Sequence, residues 1–403
     1  MLTSLALIFL LGLMLGSIFQ KLKLPSLVGM ILTGMILSPY ALNLLDDSIL
    51  NIAGDLRQLA LVIILTRAGL TLDIEDLKKV GREALLMCFV PACFEIMGVV
   101  ILAPRLLHIS YLEAAILGSV LAAVSPAVIV PRMIRLMEEG YGKANKIPQI
   151  ILAGASVDDV FVIVLFTSFV SLEQGGNISA MRFVMVPVSI ILGIIVGFLL
   201  GLGMVKFFQK VHIRDTAKVL VVLSVSFLLI ALEDWMEEII PFSGLIAIMA
   251  MGVCIYQKYQ PLAKRLSVKY NQLWVAAEVV LFVLVGATVD LNYALSSGGK
   301  AILLVVFALV VRMLGVFFCF LRTKLTNKEK LFCMLAYTPK ATVQAAIGGI
   351  PLALGLDCGA IVLTVAVIAI LMTAPFGAIC IDRCYKKLLL LDSHKDVDKN
   401  THE

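Results

Sequence analysis

Charge is what this chain has least of. Asp, Glu, Lys and Arg make up 15% of its 403 residues, against about a quarter in a soluble domain. Hydrophobic residues reach 61%, more than water could cover on two or three soluble domains. A soluble enzyme or binding module is excluded, and the solvent is a bilayer. Histidine is nearly absent: His108, His212, His394 and His402 are the only four, all in expected loops or the tail, which excludes a histidine-ligated metal in the core. The eight cysteines lie mostly inside apolar runs and include no Cys-x-x-Cys pair, so they read as small apolar fillers rather than a disulfide framework or metal site. No resident cofactor is expected. The first apolar run, Leu2–Phe19, has no basic residue before it and no small-residue cleavage site after it, so it reads as a first span rather than a signal peptide.

What is present is a succession of apolar stretches near the length that crosses a bilayer, about 20 residues. They predict about 13 spans, over 2–19, 27–45, 57–73, 84–104, 111–134, 148–172, 182–206, 216–233, 239–257, 270–290, 300–321, 328–352 and 360–382. Ser38-Pro39 interrupts the second, and Pro339-Lys340 the twelfth. Most of the 33 basic residues fall in loops after odd-numbered spans or in the tail, such as Lys78, Lys79 and Arg82, or Lys258, Lys264, Arg265 and Lys269. Loops after even-numbered spans are nearly free of Lys and Arg, and two are acidic, Asp46-Asp47 and the segment around Trp235. The positive-inside rule then puts the N-terminus outside and the C-terminus in the cytoplasm of a multi-pass cell-membrane protein. It also accounts for the net charge of +5 without a nucleic-acid partner. Residues 1–391 are expected to form one membrane unit, and 392–403 a short polar tail expected to be disordered.

An odd number of spans points to two six-helix repeats of opposite orientation joined by a linker helix. Span 5 is interrupted by Ser125-Pro126 and Pro131, and span 12, seven spans later, by Thr338-Pro339-Lys340. Paired interruptions at corresponding positions are the sequence mark of a transporter binding site. The stripe Gly193, Gly197 and Gly201 in span 7 suits close helix packing, although such spacing arises often by chance.

Charges inside apolar runs carry most of the functional reading, because each costs roughly 2.5–3.5 kcal/mol at a helix centre on insertion scales. The deep set is Glu95, Asp158, Asp159, Glu278, Arg312 and Lys340. Arg67 and Glu113 lie nearer span ends, where a long side chain can snorkel. Adjacent residues on a helix point about 100° apart, so one of Asp158 and Asp159 can face a cavity while the other meets a counter-charge. A carboxylate out of water beside another carboxylate holds its proton more tightly. Such a group accepts either a proton or a small cation, and that competition is the minimal machinery of cation/proton exchange. Arg312 stays charged at every relevant pH, whereas a desolvated Lys340 can lose its proton. Arg312 is the expected scaffold partner of Glu95, with Asp158 the alternative; Glu278, one turn into span 10 beside Trp274, has no assigned role. Broken helices free carbonyls, and Ser125 and Ser156 add hydroxyls; an all-oxygen set suits hard ions such as Na⁺ and Li⁺.

These residues also carry a resemblance. The segments Val124-Ser125-Pro126-Ala127-Val128-Ile129-Val130-Pro131, Gly154-Ala155-Ser156-Val157-Asp158-Asp159, Leu284-Val285-Gly286-Ala287 and Pro339-Lys340-Ala341-Thr342-Val343-Gln344-Ala345-Ala346 occur in the order found in Na⁺/H⁺ antiporters. The chain resembles a bacterial member of the monovalent cation:proton antiporter superfamily, in its Asp-Asp branch and the NHA-type exchangers within it. The resemblance implies a homodimer, with a dimerisation domain and a mobile core over about residues 84–172 and 300–382, crossed by the interrupted spans 5 and 12. It implies Asp159 as the principal Na⁺ (or Li⁺) and proton carrier, assisted by Asp158, with Glu95 and Arg312 as buried acid and base. Many electrogenic relatives carry Lys where Arg312 stands, so electroneutral exchange is the expectation. The alternatives are a K⁺/H⁺ exchanger or K⁺ efflux protein of the same superfamily and, more remotely, an intramembrane aspartyl protease, whose two carboxylates should face each other from separate helices.

Overall fold

The structure is a computed structural model that describes residues 1–72, 81–174, 180–236 and 242–391. Everything regular in it is helical: α1 (Leu2–Lys21), α2 (Ser26–Leu37), α3 (Asp47–Asn51), α4 (Ala53–Gly69), α5 (Arg82–Met87), α6 (Val90–Leu107), α7 (Tyr111–Ala122), α8 (Pro126–Glu139), α9 (Ile147–Gln174), α10 (Ala180–Lys210), α11 (Asp215–Met236), α12 (Gly244–Lys258), α13 (Gln260–Ala287), α14 (Leu291–Cys319), α15 (Asn327–Ala336), α16 (Thr342–Ile347), α17 (Ile350–Ala353) and α18 (Gly359–Leu388). A lone antiparallel bridge joins Tyr141 to Leu391. The expected tail, 392–403, lies outside the described residues.

Each expected span coincides with a helix or a broken pair of helices, but the lengths differ from the even series predicted. Among the described residues nine helical stretches are long and apolar enough to cross a membrane, while 26–37, 244–258 and 342–353 are apolar but shorter. Proline explains one shortfall. The residue before a proline is driven to extended backbone, and Ser38, with ψ 160°, ends α2 at Leu37. Pro131, read as an interruption, sits inside α8, and span 5 breaks only at 123–125. The basic run read as loop before span 10 is helical, because α13 starts at Gln260. Glu278 is therefore about five turns into its helix, not one. Glu113 does not snorkel: it closes a capping box, accepting from the Ser110 N–H at 2.7 Å while Ser110 Oγ accepts from its own N–H. Thr326 and Glu329 repeat the device at α15.

The helices pack as two groups. In one, α10 lies on α12, α13 on α2 and α4, and α1 on α2; in the other, α6 lies on α14 and α7, α9 on α7, and α15 on α18. Close crossings in the first group depend on glycine. A Cβ on Gly34 would strike the Val283 carbonyl, and one on Gly286 would strike the Ile31 carbonyl, so α2 and α13 touch backbone to backbone. The Gly193, Gly197 and Gly201 stripe forms the seam of α10 against α12, with Ala247 at its centre, where small residues allow the approach that association in lipid needs.

That seam predicts a contrast within one helix. Gly197→Ala should destabilise the protein by about 1–3 kcal/mol through overpacking. Gly203→Ala, where a Cβ meets nothing within 4 Å, should be neutral or up to about 1 kcal/mol stabilising through helix propensity. Thermal unfolding of both variants in detergent checks this; equal effects would remove the seam as the cause.

Candidate functional site

The two broken spans meet at their breaks. Between α7 and α8 the backbone of Ala123 and Ser125 is extended, and between α15 and α16 the chain runs irregularly through Tyr337–Ala341. The Ser125 N–H donates to the Pro339 carbonyl at 2.8 Å, a bond neither segment could make as a continuous helix. The pre-proline position of Ser125, and the missing N–H of Pro339, explain why the helices stop there.

Deep charges from three helices and the second break converge on this crossing. Arg312, about two turns before the end of α14, is fully buried. Its Nη1 lies 2.9 Å from Glu95 Oε2 on α6, and its Nη2 3.0 Å from Asp158 Oδ2 on α9. Nε donates to the Tyr337 carbonyl at 2.9 Å, and Nη1 also donates to the Ala122 carbonyl. The guanidinium carbon stands 5.1 Å from the centroid of the Tyr337 ring, within cation–π range. The sequence left Glu95 and Asp158 as alternative partners of Arg312; one guanidinium takes both. Lys340 joins from the second break, with Nζ 2.7 Å from Glu95 Oε1 and donating to the Leu121 carbonyl. Its partner is therefore Glu95, and Asp158 is held by Arg312. Asp158 Oδ2 also accepts from the Val124 N–H at 2.9 Å.

Asp159 is placed differently. It is only partly buried and opens, with Leu61, Ile64, Leu65 and Ala68 of α4, Met249 of α12, and Val343 and Ala346 of α16, onto a cavity of about 20 Å³, room for about one water. It is the one charged residue of that lining. Among the described residues the buried oxygens Asp158 Oδ1, Asp159 Oδ1, Ser125 Oγ, Thr342 Oγ1 and Gln344 Oε1 have no hydrogen-bond partner. A buried oxygen without a donor is costly, and these lie at or beside the two breaks. All five are oxygens, the donor type that hard cations prefer. Among the described residues no three His, Cys, Asp or Glu side chains gather as a metal site. The side chain of Ser156, an expected contributor, lies outside the described residues.

Sequence reasoning gave no role to Thr342 and Gln344, which stand in the motif around Lys340, or to Tyr337 and Thr373. The Gln344 amide donates to the Ala123 carbonyl at 2.7 Å, Tyr337 donates its hydroxyl to the Met87 carbonyl at 3.2 Å, and Thr373 accepts from the Lys340 N–H at 3.0 Å. Polar side chains two and four residues past Lys340, in an otherwise apolar run, were the available signal for Thr342 and Gln344. Arg67 and Glu278 face each other across α4 and α13, near enough for direct charge attraction, and neither joins the Arg312 cluster.

The family model described as "Sodium/hydrogen exchanger, transmembrane" matches residues 5–385. This chain belongs to that family. Among its relatives are sodium/hydrogen exchanger 9B2 of Homo sapiens, 31% identical over 393 residues that cover 93% of this chain and 72% of the relative, and sodium/hydrogen exchanger 9B1 of Homo sapiens, 30% identical over 400 residues covering 93% and 75%. The solved structure of the sodium proton antiporter MjNhaP1 from Methanocaldococcus jannaschii superposes with a TM-score of 0.83 at 22% identity, covering 95% of this chain and 97% of that one. It gives the family member its fold: an all-helical, multi-pass membrane protein of antiporter architecture.

The Glu95 contacts generate a stability test. Glu95→Gln leaves two buried cations short of a counter-charge and should cost about 3–5 kcal/mol. Adding Lys340→Met to Glu95→Gln should recover part of that loss. The thermal-unfolding cycle should therefore be strongly non-additive; simple additivity would mean that Glu95 and Lys340 do not interact.

Proposed function

We propose that this family member is a secondary active transporter that exchanges Na⁺ or Li⁺ for H⁺, with Asp159 as the carrier. The observation that carries the reading is charge balance. Glu95 and Asp158 are matched by Arg312 and Lys340 through direct contacts, which leaves Asp159 as the carboxylate without a cation, facing the cavity. A carboxylate so placed requires neutralisation by something that arrives and leaves. A proton satisfies it, and so does a monovalent cation completed by Asp158 Oδ1 and the hydroxyls and amide oxygen at the breaks. Binding of one excludes the other. Carrying either ligand across then needs only that the group of helices holding Asp159 move as a body against α4 and α12, the alternating-access scheme of transporters with paired broken helices.

The remaining parts of the reading have separate supports. The distribution of Lys and Arg supports an external N-terminus and a cytoplasmic C-terminus in the cell membrane. The paired breaks support two inverted repeats. The names of the relatives support sodium over potassium. A homodimer is carried by the resemblance alone. Asp158 and Asp159 sit side by side on α9, an arrangement that does not fit the proton-sharing dyad of a protease.

Asp159→Asn in proteoliposomes should abolish Na⁺-dependent dissipation of ΔpH in protein that still folds, because an amide cannot exchange a proton; Asp158→Asn should weaken it. In the wild type the apparent KM for Na⁺ should rise as pH falls, with the maximal rate little changed, since the proton occupies the same group. Robust exchange by purified Asp159→Asn would sink the assignment.

Stoichiometry follows from the same balance. Arg312 cannot release a proton during the cycle, and Lys340 is held on Glu95 and the Leu121 carbonyl. One cation then replaces one proton at Asp159, and no net charge moves. Clamping the membrane potential with valinomycin and K⁺ should leave the Na⁺-driven rate unchanged. A rate that follows the imposed potential would require a second proton, from Lys340 or Asp158.

A further inference from the structure

Arg57 is a second buried cation, outside the cluster at the breaks. It lies in the first turns of α4 and is 6% exposed. Its Nη1 donates to Thr288 Oγ1 at 3.0 Å. Thr288 caps the last turn of α13, its hydroxyl already donating to the Leu284 carbonyl. The guanidinium also lies against Gly349, where a Cβ would come within 2.7 Å of Nη1, just past the C-terminal end of α16. The C-terminal end of α13 therefore faces this cation with its partial negative charge. Among the described residues no carboxylate lies within 4 Å of it. Capping that helix end accounts for a donor at this place, and a neutral amide would serve. It does not account for a permanent charge kept away from water.

The position of Arg57 on its helix supplies the missing partner. Arg57, Leu61, Ile64, Leu65 and Ala68 follow one face of α4 at helical spacing, and the last four line the cavity into which Asp159 opens. α16 runs beside them in the opposite sense, since Gly349 lies at Arg57 while Val343 and Ala346 lie at the cavity. At 1.5 Å per residue, Arg57 stands about 6–16 Å along the axis from the cavity-lining residues, towards the end of α4 assigned to the exterior. A core that carries Asp159 outward along this face brings the unmatched carboxylate to the unmatched guanidinium. We propose that Arg57 is the counter-cation Asp159 meets at the outward end of the transport movement, where it competes with the bound cation and drives its release. The inference rests on the reading of Asp159 as carrier and on the assigned orientation.

Competition by a fixed charge weakens cation affinity on one face only. In right-side-out and inside-out vesicles, with orientation fixed independently by protease access to a C-terminal tag, Arg57→Gln should lower the apparent KM for external Na⁺ about tenfold. The cytoplasmic KM should shift by less than about twofold, a small share of that interaction. Arg57→Lys, which keeps the charge, should retain the wild-type asymmetry. Thr288→Val frees the guanidinium from its resting hydrogen bond and should move the external KM in the opposite direction, upward, and it carries the test alone if Arg57→Gln does not fold. Equal shifts at both faces, no shift, or a shift confined to the cytoplasmic face would overturn the proposal. Asp159→Asn in the same vesicles separates the two readings. Exchange by that variant removes Asp159 as carrier; an inactive Asp159→Asn beside a symmetric Arg57→Gln removes only the role of Arg57.

Discussion

The guanidinium of Arg312 holds the candidate site together. A planar fork with five donors bonds in one place to Glu95, Asp158, the Ala122 carbonyl and the Tyr337 carbonyl, thereby tying α6, α9, α7 and the break after α15 to α14. Lysine could not do this, because a single ammonium cannot span two carboxylates and two carbonyls in a fixed plane. A buried ion pair is weak evidence for net stability. A buried cation that fixes the relative positions of five chain segments is better read as a device for geometry.

The same charges solve a backbone problem. A helix cannot break inside a bilayer unless the freed N–H and C=O groups find other partners. Around the first break, Leu121 and Ala122 give their carbonyls to Lys340 and Arg312, Ala123 gives its carbonyl to Gln344, Val124 gives its N–H to Asp158, and Ser125 gives its N–H to Pro339. Five consecutive residues that would otherwise be satisfied within a helix are satisfied instead by side chains and by the other break. The crossing and the charge cluster are therefore one structure.

This interdependence explains what could be read from the chain. Composition and hydropathy gave the class and the approximate places of the apolar stretches, because hydropathy is a local property. Glu95, Asp158, Asp159, Arg312 and Lys340 stood out because a charge in an apolar run is conspicuous whatever it touches. The partners of those charges were not legible. That Arg312 takes both acids depends on where α6 and α9 lie beside α14, which no spacing encodes. Pro131 shows the opposite error: the same residue type breaks a helix at Ser125-Pro126 and is absorbed within α8 five residues later. Arg57, the first residue of an expected span, carries no sequence signal that sets it apart from a snorkelling cation. Only its packing against Gly349, with no acid in reach, distinguishes it from Arg67, which has Glu278.

Why two adjacent aspartates, if one carries the ion? The 100° between neighbouring residues turns Asp158 into the cluster and Asp159 into the cavity, so on the proposed reading consecutive positions serve a fixed and an exchangeable charge. Asp158 Oδ2 is committed to Arg312 and Val124, while its Oδ1 is free of donors. A cation at Asp159 could thus draw on that second carboxylate without disturbing the pair with Arg312. A proton has no such need, since one oxygen suffices. The cation would gain from both carboxylates and the proton from one, while Arg312 limits how much negative charge Asp158 can lend. Exchange requires the two affinities to stay comparable, for a site that favoured either ligand strongly would never release it. On this argument, what Arg312 contributes to transport is restraint of Asp158.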